Sequence, residues 1–470
     1  MANYKNVCLV LLIAAALGAC RVSKDMQTPA DAVPQSFRDV STTDTVSIAE
    51  LPWKDFFSDP LLQRLIDTAI VKNYDMQIAL TNIEAAGLLV KQAKWNNVPT
   101  VNLGIGASTT NPSDNSLSGL TAGQFLGTNH LKDFSIGLNL SWEADVWGKI
   151  RSQNKLAASQ YLQSIEARKA VQTHLVANVA NGYYNLLMLD EQLAVAGKNE
   201  SLNDSTLRMI RLQFENGQVS SLAVQQAQAQ LNAVQQLIPG LEQLVAVQEN
   251  ALRVLAGEFP DKITRTTSLA AIEIPQGIAV GLPLTLVSRR PDVRKEELGL
   301  VAANASVGLS KAQLYPALRI SAGGGLNSLK ASDWFNMPAS LFGIVAGSVT
   351  QPLLQRRELR TRYEIALAER EKSVLQFRKA VLTAVGEVSD AMVQIEKLRA
   401  SQAFADNRAA TLRQAVSNAG LLFNNGAASY LEVITAQGNV LQSELDVALL
   451  KRQQLAALSD LYRSLGGGWK

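Results

Sequence analysis

Few residues in this 470-residue chain are suited to chemistry. Two cysteines, Cys8 and Cys20, and two histidines, His130 and His174, make up its stock of thiols and imidazoles. The histidines lie far apart in sequence. There is no His-Glu-x-x-His zinc motif, no Gly-x-Ser-x-Gly nucleophile elbow and no Walker-type phosphate loop. An enzyme is therefore a poor reading. One side chain does stand in a pointed context, the Cys20 thiol. Lys5 supplies a positive start, Val7 to Leu17 an apolar run, and Leu17-Gly18-Ala19 brings small residues up to Cys20. Met1 to Ala19 is too short to span a membrane and has the form of a cleaved secretory signal.

Leu17-Gly18-Ala19-Cys20 resembles a bacterial lipobox, in which Cys20 becomes the lipidated first residue of the mature chain. Cys8 leaves with the signal, so no thiol remains for a disulfide. An exported chain without disulfides must be held by packing or by assembly. Acyl chains on Cys20 would anchor it, since one chain alone gives only marginal binding. Apart from that covalent lipid, no cofactor and no metal site is expected. Lys and Arg number 44 and Asp and Glu 41, a net of +3, so nothing signals nucleic acid.

The elements around these residues are organised by a stretch that occurs twice. Phe214, Asn216, Gly217, Ser220, Leu222, Val224, Ala227 and Gln228 recur, at a constant shift of 209 positions, as Phe423, Asn425, Gly426, Ser429, Leu431, Val433, Ala436 and Gln437. An internal repeat decides the architecture. Each copy reads as the turn of a helical hairpin. Proline-free, helix-forming stretches run into it from Lys149 to Glu215 and from Arg356 to Asn424. Asn-Gly supplies the positive φ that ends a helix, and Ser220 and Ser429 stand where a returning helix needs its N-cap. A helix of this length extends roughly 100 Å at about 1.5 Å per residue. Phe377, Val381, Val385, Val388, Met392 and Ile395 form a narrow apolar stripe, the seam between packed helices.

The chain before and between these hairpins follows one plan twice. Residues 20–50 are a polar, Pro- and Ser/Thr-containing tether. Residues 51–258 form the first repeat: a helix from Pro60 to about Lys94, a strand pair within 100–142, and the hairpin with its turn near 217. The strands are Val101–Ala107 and Phe134–Trp142, which alternate apolar with small or polar residues; Ser108 to Asp133 between them reads as an external loop. Membrane strands alternate in this way, and so do half-buried soluble strands. Pro239-Gly240 should interrupt the returning helix. Residues 259–288 are an irregular connection. In the second repeat, 289–470, Arg289-Arg290-Pro291-Asp292 opens a helix, with a basic binding site as the other use of those arginines. A strand pair comes next within 317–350, then the hairpin with its turn near 426.

No apolar run after the signal reaches the roughly 20 residues of a membrane helix. If the chain enters a membrane it does so with strands, and four cannot close a barrel. An open edge in lipid leaves backbone groups unpaired at several kcal/mol each, and the smallest outer-membrane barrels have about eight strands. Three copies would supply twelve.

Trp53-Lys-Asp-Phe-Phe57, Ser141-Trp-Glu-Ala-Asp-Val-Trp-Gly148, Arg290-Pro-Asp-Val-Arg294, Gln351-Pro352, and the Asn-Gly turn followed by Tyr430-Leu431 and Ala436-Gln437 together resemble the TolC-like outer-membrane efflux proteins. The lipobox resembles the lipoprotein branch serving resistance-nodulation-division (RND) multidrug pumps. The resemblance implies a mainly α fold with a membrane β-barrel. Long antiparallel hairpins would form a periplasmic tunnel, and four strands per chain in two tandem repeats would give a twelve-stranded barrel completed by a trimer. It implies a passive outer-membrane drug conduit, with a periplasmic membrane-fusion adaptor and an RND inner-membrane transporter as partners. Gly217, Ser220, Leu222, Gly426, Ser429, Tyr430 and Leu431 match the family's adaptor-docking and gating tip. Acidic gate residues are frequent in the family; here Thr435 and Gln437 are neutral, which leaves Glu432, equally readable as a first-turn carboxylate favoured by the helix dipole. A channel for type I protein secretion shares this fold and is the alternative. A non-transporting coiled-coil lipoprotein is the second, though it would leave Phe134 to Trp142 unexplained.

Overall fold

A computed structural model of the chain describes residues 47–128, 130–275, 280–281 and 289–470. The signal, Cys20, nearly all of the 20–50 tether and parts of 259–288 lie outside them. The elements are α1 (Pro60–Lys72), α2 (Tyr74–Trp95), β1 (Thr100–Thr110), β2 (Leu131–Glu143), α3 (Lys149–Glu215), α4 (Ser221–Leu255), α5 (Pro291–Ala312), β3 (Ala317–Ser328), β4 (Leu341–Thr350), α6 (Glu358–Asn424) and α7 (Tyr430–Ser464). Both long helices have 67 residues and both returning helices 35. Two compact units result, one from residues 84–162 and 298–375, the other from the remaining described residues.

The larger unit holds the apolar core. Trp53, Phe57, Leu62, Ile66, Tyr183, Leu186, Leu187, Leu252 and Tyr462 are buried together. Phe56 stacks on Tyr462 at 4.1 Å, and the Tyr462 hydroxyl donates to the Leu51 carbonyl at 2.7 Å. The stripe on α6 is a seam as its spacing requires. Phe377, Val381, Val388 and Ile395 are buried against Ala457, Leu458, Leu461 and Val293, with Val385 and Met392 partly covered. Each such side chain contributes about 1.5–3 kcal/mol on burial.

Three expectations fail here, each for a local reason. The first helix is two, because Asn73 turns out of the helix at ψ 132°. Its carboxamide serves both sides: Oδ1 accepts from the Met76 N–H at 3.1 Å and Nδ2 donates to the Leu255 carbonyl at 3.0 Å. Pro239 does not break α4, which runs through it from Ser221 to Leu255. The proline stands on an exposed turn while Leu237, Ile238 and Leu241 pack into the core. That burial outweighs the roughly 3 kcal/mol a helical proline costs. The second long helix begins at Glu358, because Arg356 and Arg357 take positive φ of 49° and 64°.

The smaller unit carries a four-stranded antiparallel sheet in the order β1-β2-β3-β4. Its strands outrun the alternating stretches by a few residues, and a short helix, Leu117–Thr121, interrupts the 108–133 loop. Asp145 caps α3 by accepting from the N–H groups of Ile150 (2.8 Å) and Arg151 (2.9 Å), and Gly148 supplies a φ of 74° in the same turn. The Trp-Glu-Ala-Asp-Val-Trp-Gly motif is thus a strand-to-helix junction.

Candidate functional site

In an antiparallel ladder, residues directly opposite share a face. Val101 pairs with Leu140, Leu103 with Leu138, Ile105 with Ile136 and Ala107 with Phe134. Leu140 pairs with Ala322, Trp142 with Ile320 and Ile136 with Leu326. Leu318 pairs with Val349, Ala322 with Val345 and Leu326 with Leu341. One face is therefore apolar across all four strands. The other carries Asn102, Ser135, Asn139, Ser141, Arg319, Ser321 and Asn327 among glycines, with Phe342 and Ile344 its main apolar members. β4 is consequently apolar on both faces, which explains its weak alternation in sequence. β1 and β4 are exposed along their whole length, and their outer edges have no strand beside them among the described residues. Such an apolar face with two bare edges in water is an aggregation hazard. In lipid the face is satisfied and the edges still are not. No helix among the described residues is long and apolar enough to cross a membrane, which says nothing of strands.

The two repeated turns, in the larger unit, are built alike. Gly217 and Gly426 both sit at φ 71°. The Gly217 N–H donates to Phe214 O at 2.9 Å and the Gln218 N–H to Gln213 O at 2.8 Å. In the second turn the Gly426 N–H donates to Phe423 O at 3.0 Å and the Ala427 N–H to Leu422 O at 2.8 Å. This paired pattern closes a helix with a glycine at C′. The side chains of Asn216 and Asn425 donate to Leu212 O (2.7 Å) and Leu421 O (2.8 Å). Ser220 and Ser429 are both extended N-caps. Glu432 reaches back to accept the Ser429 N–H at 2.5 Å, so its carboxylate is engaged in capping α7; at Ser220 no side-chain cap forms. Phe423 and Val433 are buried with Leu207, Ile210, Ala223, Ala227 and Leu231, and Tyr430 packs on them. Leu222 and Leu431 stay exposed. The two turns are therefore packed side by side with a leucine free on each.

A buried charge cluster in the same unit was not assigned by sequence. Arg290 is buried; its Nε and Nη2 donate to Asp292 at 2.9 and 2.6 Å, and its Nη1 to Glu387 at 2.9 Å and Ser464 O at 3.1 Å. Burial opposes its charge, but Asp292 and Glu387 outweigh that and raise its pKa. Burial likewise acts to raise the Asp292 pKa, and Arg290 holds it below the usual value. The arginine opens α5 by locking it to α6 and the end of α7, rather than offering a binding site. His174 has its pKa lowered by burial and then by the charge of Arg463. Among the described residues no group of three or more His, Cys, Asp or Glu has the geometry to hold a metal.

The outer membrane efflux protein family model matches residues 65–258 and again 282–467. The chain belongs to that family. Cation efflux system protein CusC of Escherichia coli O6:H1 (strain CFT073) is 28% identical over 470 residues, covering 98% of each chain. Solvent efflux pump outer membrane protein SrpC of Pseudomonas putida is 28% identical over 467 residues, covering 96% of each. A crystal structure of CusC superposes with a TM-score of 0.83 at 25% identity, covering 96% of this chain and 100% of that one. The relatives are efflux proteins rather than enzymes, which agrees with the poverty of catalytic motifs.

Proposed function

We propose that the chain is the outer-membrane channel of a tripartite RND-type multidrug efflux pump. It would be a passive trimeric conduit from periplasm to outside, anchored by lipid on Cys20 and gated at its periplasmic tip. The observation that carries this reading is the sheet: one apolar face, one largely polar face, and two edges left open among the described residues. Three copies joined edge to edge give twelve strands, close the ring, point the apolar face to lipid and leave the polar face to water. The tandem repeat supplies each copy with two strand pairs and two helical hairpins. Gly217, Ser220, Leu222, Gly426, Ser429, Tyr430 and Leu431 are proposed as the adaptor-docking end, supported by the matched turns and the exposed leucines. Glu432 is proposed with them, although capping already occupies its carboxylate. The names of both relatives refer to export of small solutes, which favours efflux over protein secretion.

The protein purified in detergent is expected to scatter light with the mass of a trimer and to give discrete ion-conducting steps in a planar bilayer. A monomer that does not conduct would overturn the channel. Deleting its gene should raise drug susceptibility and leave secreted proteins unchanged; the reverse outcome would assign secretion instead.

A further inference from the structure

The junction of β2 with β3 is closed within the chain, and it is a template for a junction of β4 with β1 that is not. Where β2 ends beside the start of β3, the turn into α3 lays Trp147 against the approach to β3. Its ring stacks on Tyr315 at 4.9 Å, and its Nε1–H donates to Pro316 O at 2.7 Å. The sheet's open ends are β4 and β1. Antiparallel pairing of β4 with β1 of another copy brings the segment after Thr350 beside the segment before Thr100. The turn after Glu143 stands in the same relation to the segment before Ala317.

Bare apolar groups stand at both places. Leu353 and Leu354 are 85% and 97% exposed, and Trp95 and Val98 are 69% and 45% exposed. The turn carrying the leucines is tied down at its base, where the Gln351 carboxamide donates to Leu314 O at 3.1 Å. At its far end are the left-handed Arg356 and Arg357. The nearby cations do not mark an anion site. Arg357 and Arg360 pair with Glu364, and Arg362 with Glu358.

We propose that Leu353-Leu354 is a hook that seats on Trp95 and Val98 of a neighbouring copy, doing between chains what Trp147 does on Tyr315 within one. The occupant is a second copy because the open edges β4 and β1 run directly into the two patches, so one docking event pairs the backbone and covers the leucines. The inference rests on the channel reading. Pairing of β4 with β1 could form without the hook, but the hook could not form without that pairing.

With Cys8 removed and the Cys20 sulfur acylglycerol-linked, as proposed above, the mature chain has no free thiol, so cysteine cross-linking suits the test. The full chain is made with Leu354→Cys and Trp95→Cys together, and separately with Leu353→Cys and Val98→Cys in case loss of Trp95 impairs folding. Each is treated with a short bis-maleimide in membranes and run on a denaturing gel. Covalent dimer and trimer bands are expected from at least one pair and from none of the four single variants. Light scattering of the untreated proteins separates the possible failures. A trimer that gives no cross-linked bands overturns the hook and leaves the channel standing; a monomer removes both. Quenching of a fluorophore at position 354 by a lipid-borne quencher, at the level seen for position 345 on the sheet's apolar face, would mean that lipid covers the leucines and would also overturn the hook.

Discussion

Gly426 is the position where a single added side chain should separate conformation from contact. Its φ is 71°, and a Cβ built there meets no atom within 4 Å. Any cost of substitution is therefore backbone strain. An L-residue held left-handed costs about 1–2 kcal/mol, and a β-branched residue more, because its Cβ crowds the following carbonyl. Relaxing to negative φ instead breaks the two turn hydrogen bonds at 3.0 and 2.8 Å, worth about 1 kcal/mol each net. Gly426→Val should thus weaken the turn by about 2–3 kcal/mol, and a tenfold change in opening corresponds to about 1.4 kcal/mol. Amide exchange at the adjoining Ala427 and its neighbours should quicken by about 30- to 140-fold, while Gly426→Asn, which tolerates this region, should change it little. Drug export should fall in the valine variant and recover in the asparagine one, with equal amounts of protein in the membrane. Unchanged exchange in Gly426→Val, or an asparagine variant as damaged as the valine one, would refute the strain argument. Unchanged export despite a loosened turn would remove the tip assignment.

Other consequences can be measured on purified protein. A Cβ on Gly467 would lie 2.4 Å from the Tyr462 ring, whereas one on Gly240, in the interior of α4, meets nothing within 4 Å. Gly467→Ala should destabilise by about 1–3 kcal/mol and Gly240→Ala should stabilise by about 0.5–1 kcal/mol; equal melting temperatures would contradict both. Arg290→Met strips Asp292 of its arginine and leaves Glu387 with Arg463 alone, at 3.3 Å. Because those carboxylates are part-exposed, the loss should fall near the low end of the range for broken buried pairs, about 3 kcal/mol, read by denaturant titration. His174 has its pKa lowered below 6.5 in the fold, so the unfolded chain binds the proton more readily. Stability is then full above about pH 6.5 and declines as pH falls through the folded value. Melts at about pH 5 and pH 8 should differ more for the native chain than for His174→Gln, and identical differences would exclude this histidine as a cause.

Much of the helical layout was legible because it is local. The bounds Lys149–Glu215 and the glycine turns come from an uninterrupted run of helix formers and an Asn-Gly stop. The seam from Phe377 to Ile395 comes from its spacing. Strand existence was readable from alternation, and strand ends less so, since Thr109, Thr110 and Leu131 carry no apolar-polar rhythm. The rest depended on how the elements pack. Asn73 ends a helix because Leu255 O and the Met76 N–H both bond it, which no neighbouring residue announces. Pro239 is tolerated because of where its turn faces. Arg290 finds Glu387 and Ser464 only through the fold, and Gly467 is small because Tyr462 lies over it. Of the candidate site, the turn geometry was readable at Gly217 and Gly426, but the capping role of Glu432 became evident only with the Ser429 N–H in view.

The sheet's two faces are expected to meet two different solvents. The direct measurement is a nitroxide scan of single-cysteine variants in lipid, comparing collision with oxygen, which concentrates in lipid, and with a water-soluble nickel chelate. Positions 103, 105, 138 and 345 are predicted to favour oxygen, and positions 102, 139 and 321 the nickel reagent, alternating with a period of two along β1. A scan with no alternation, or one in which both faces meet water, would contradict the account.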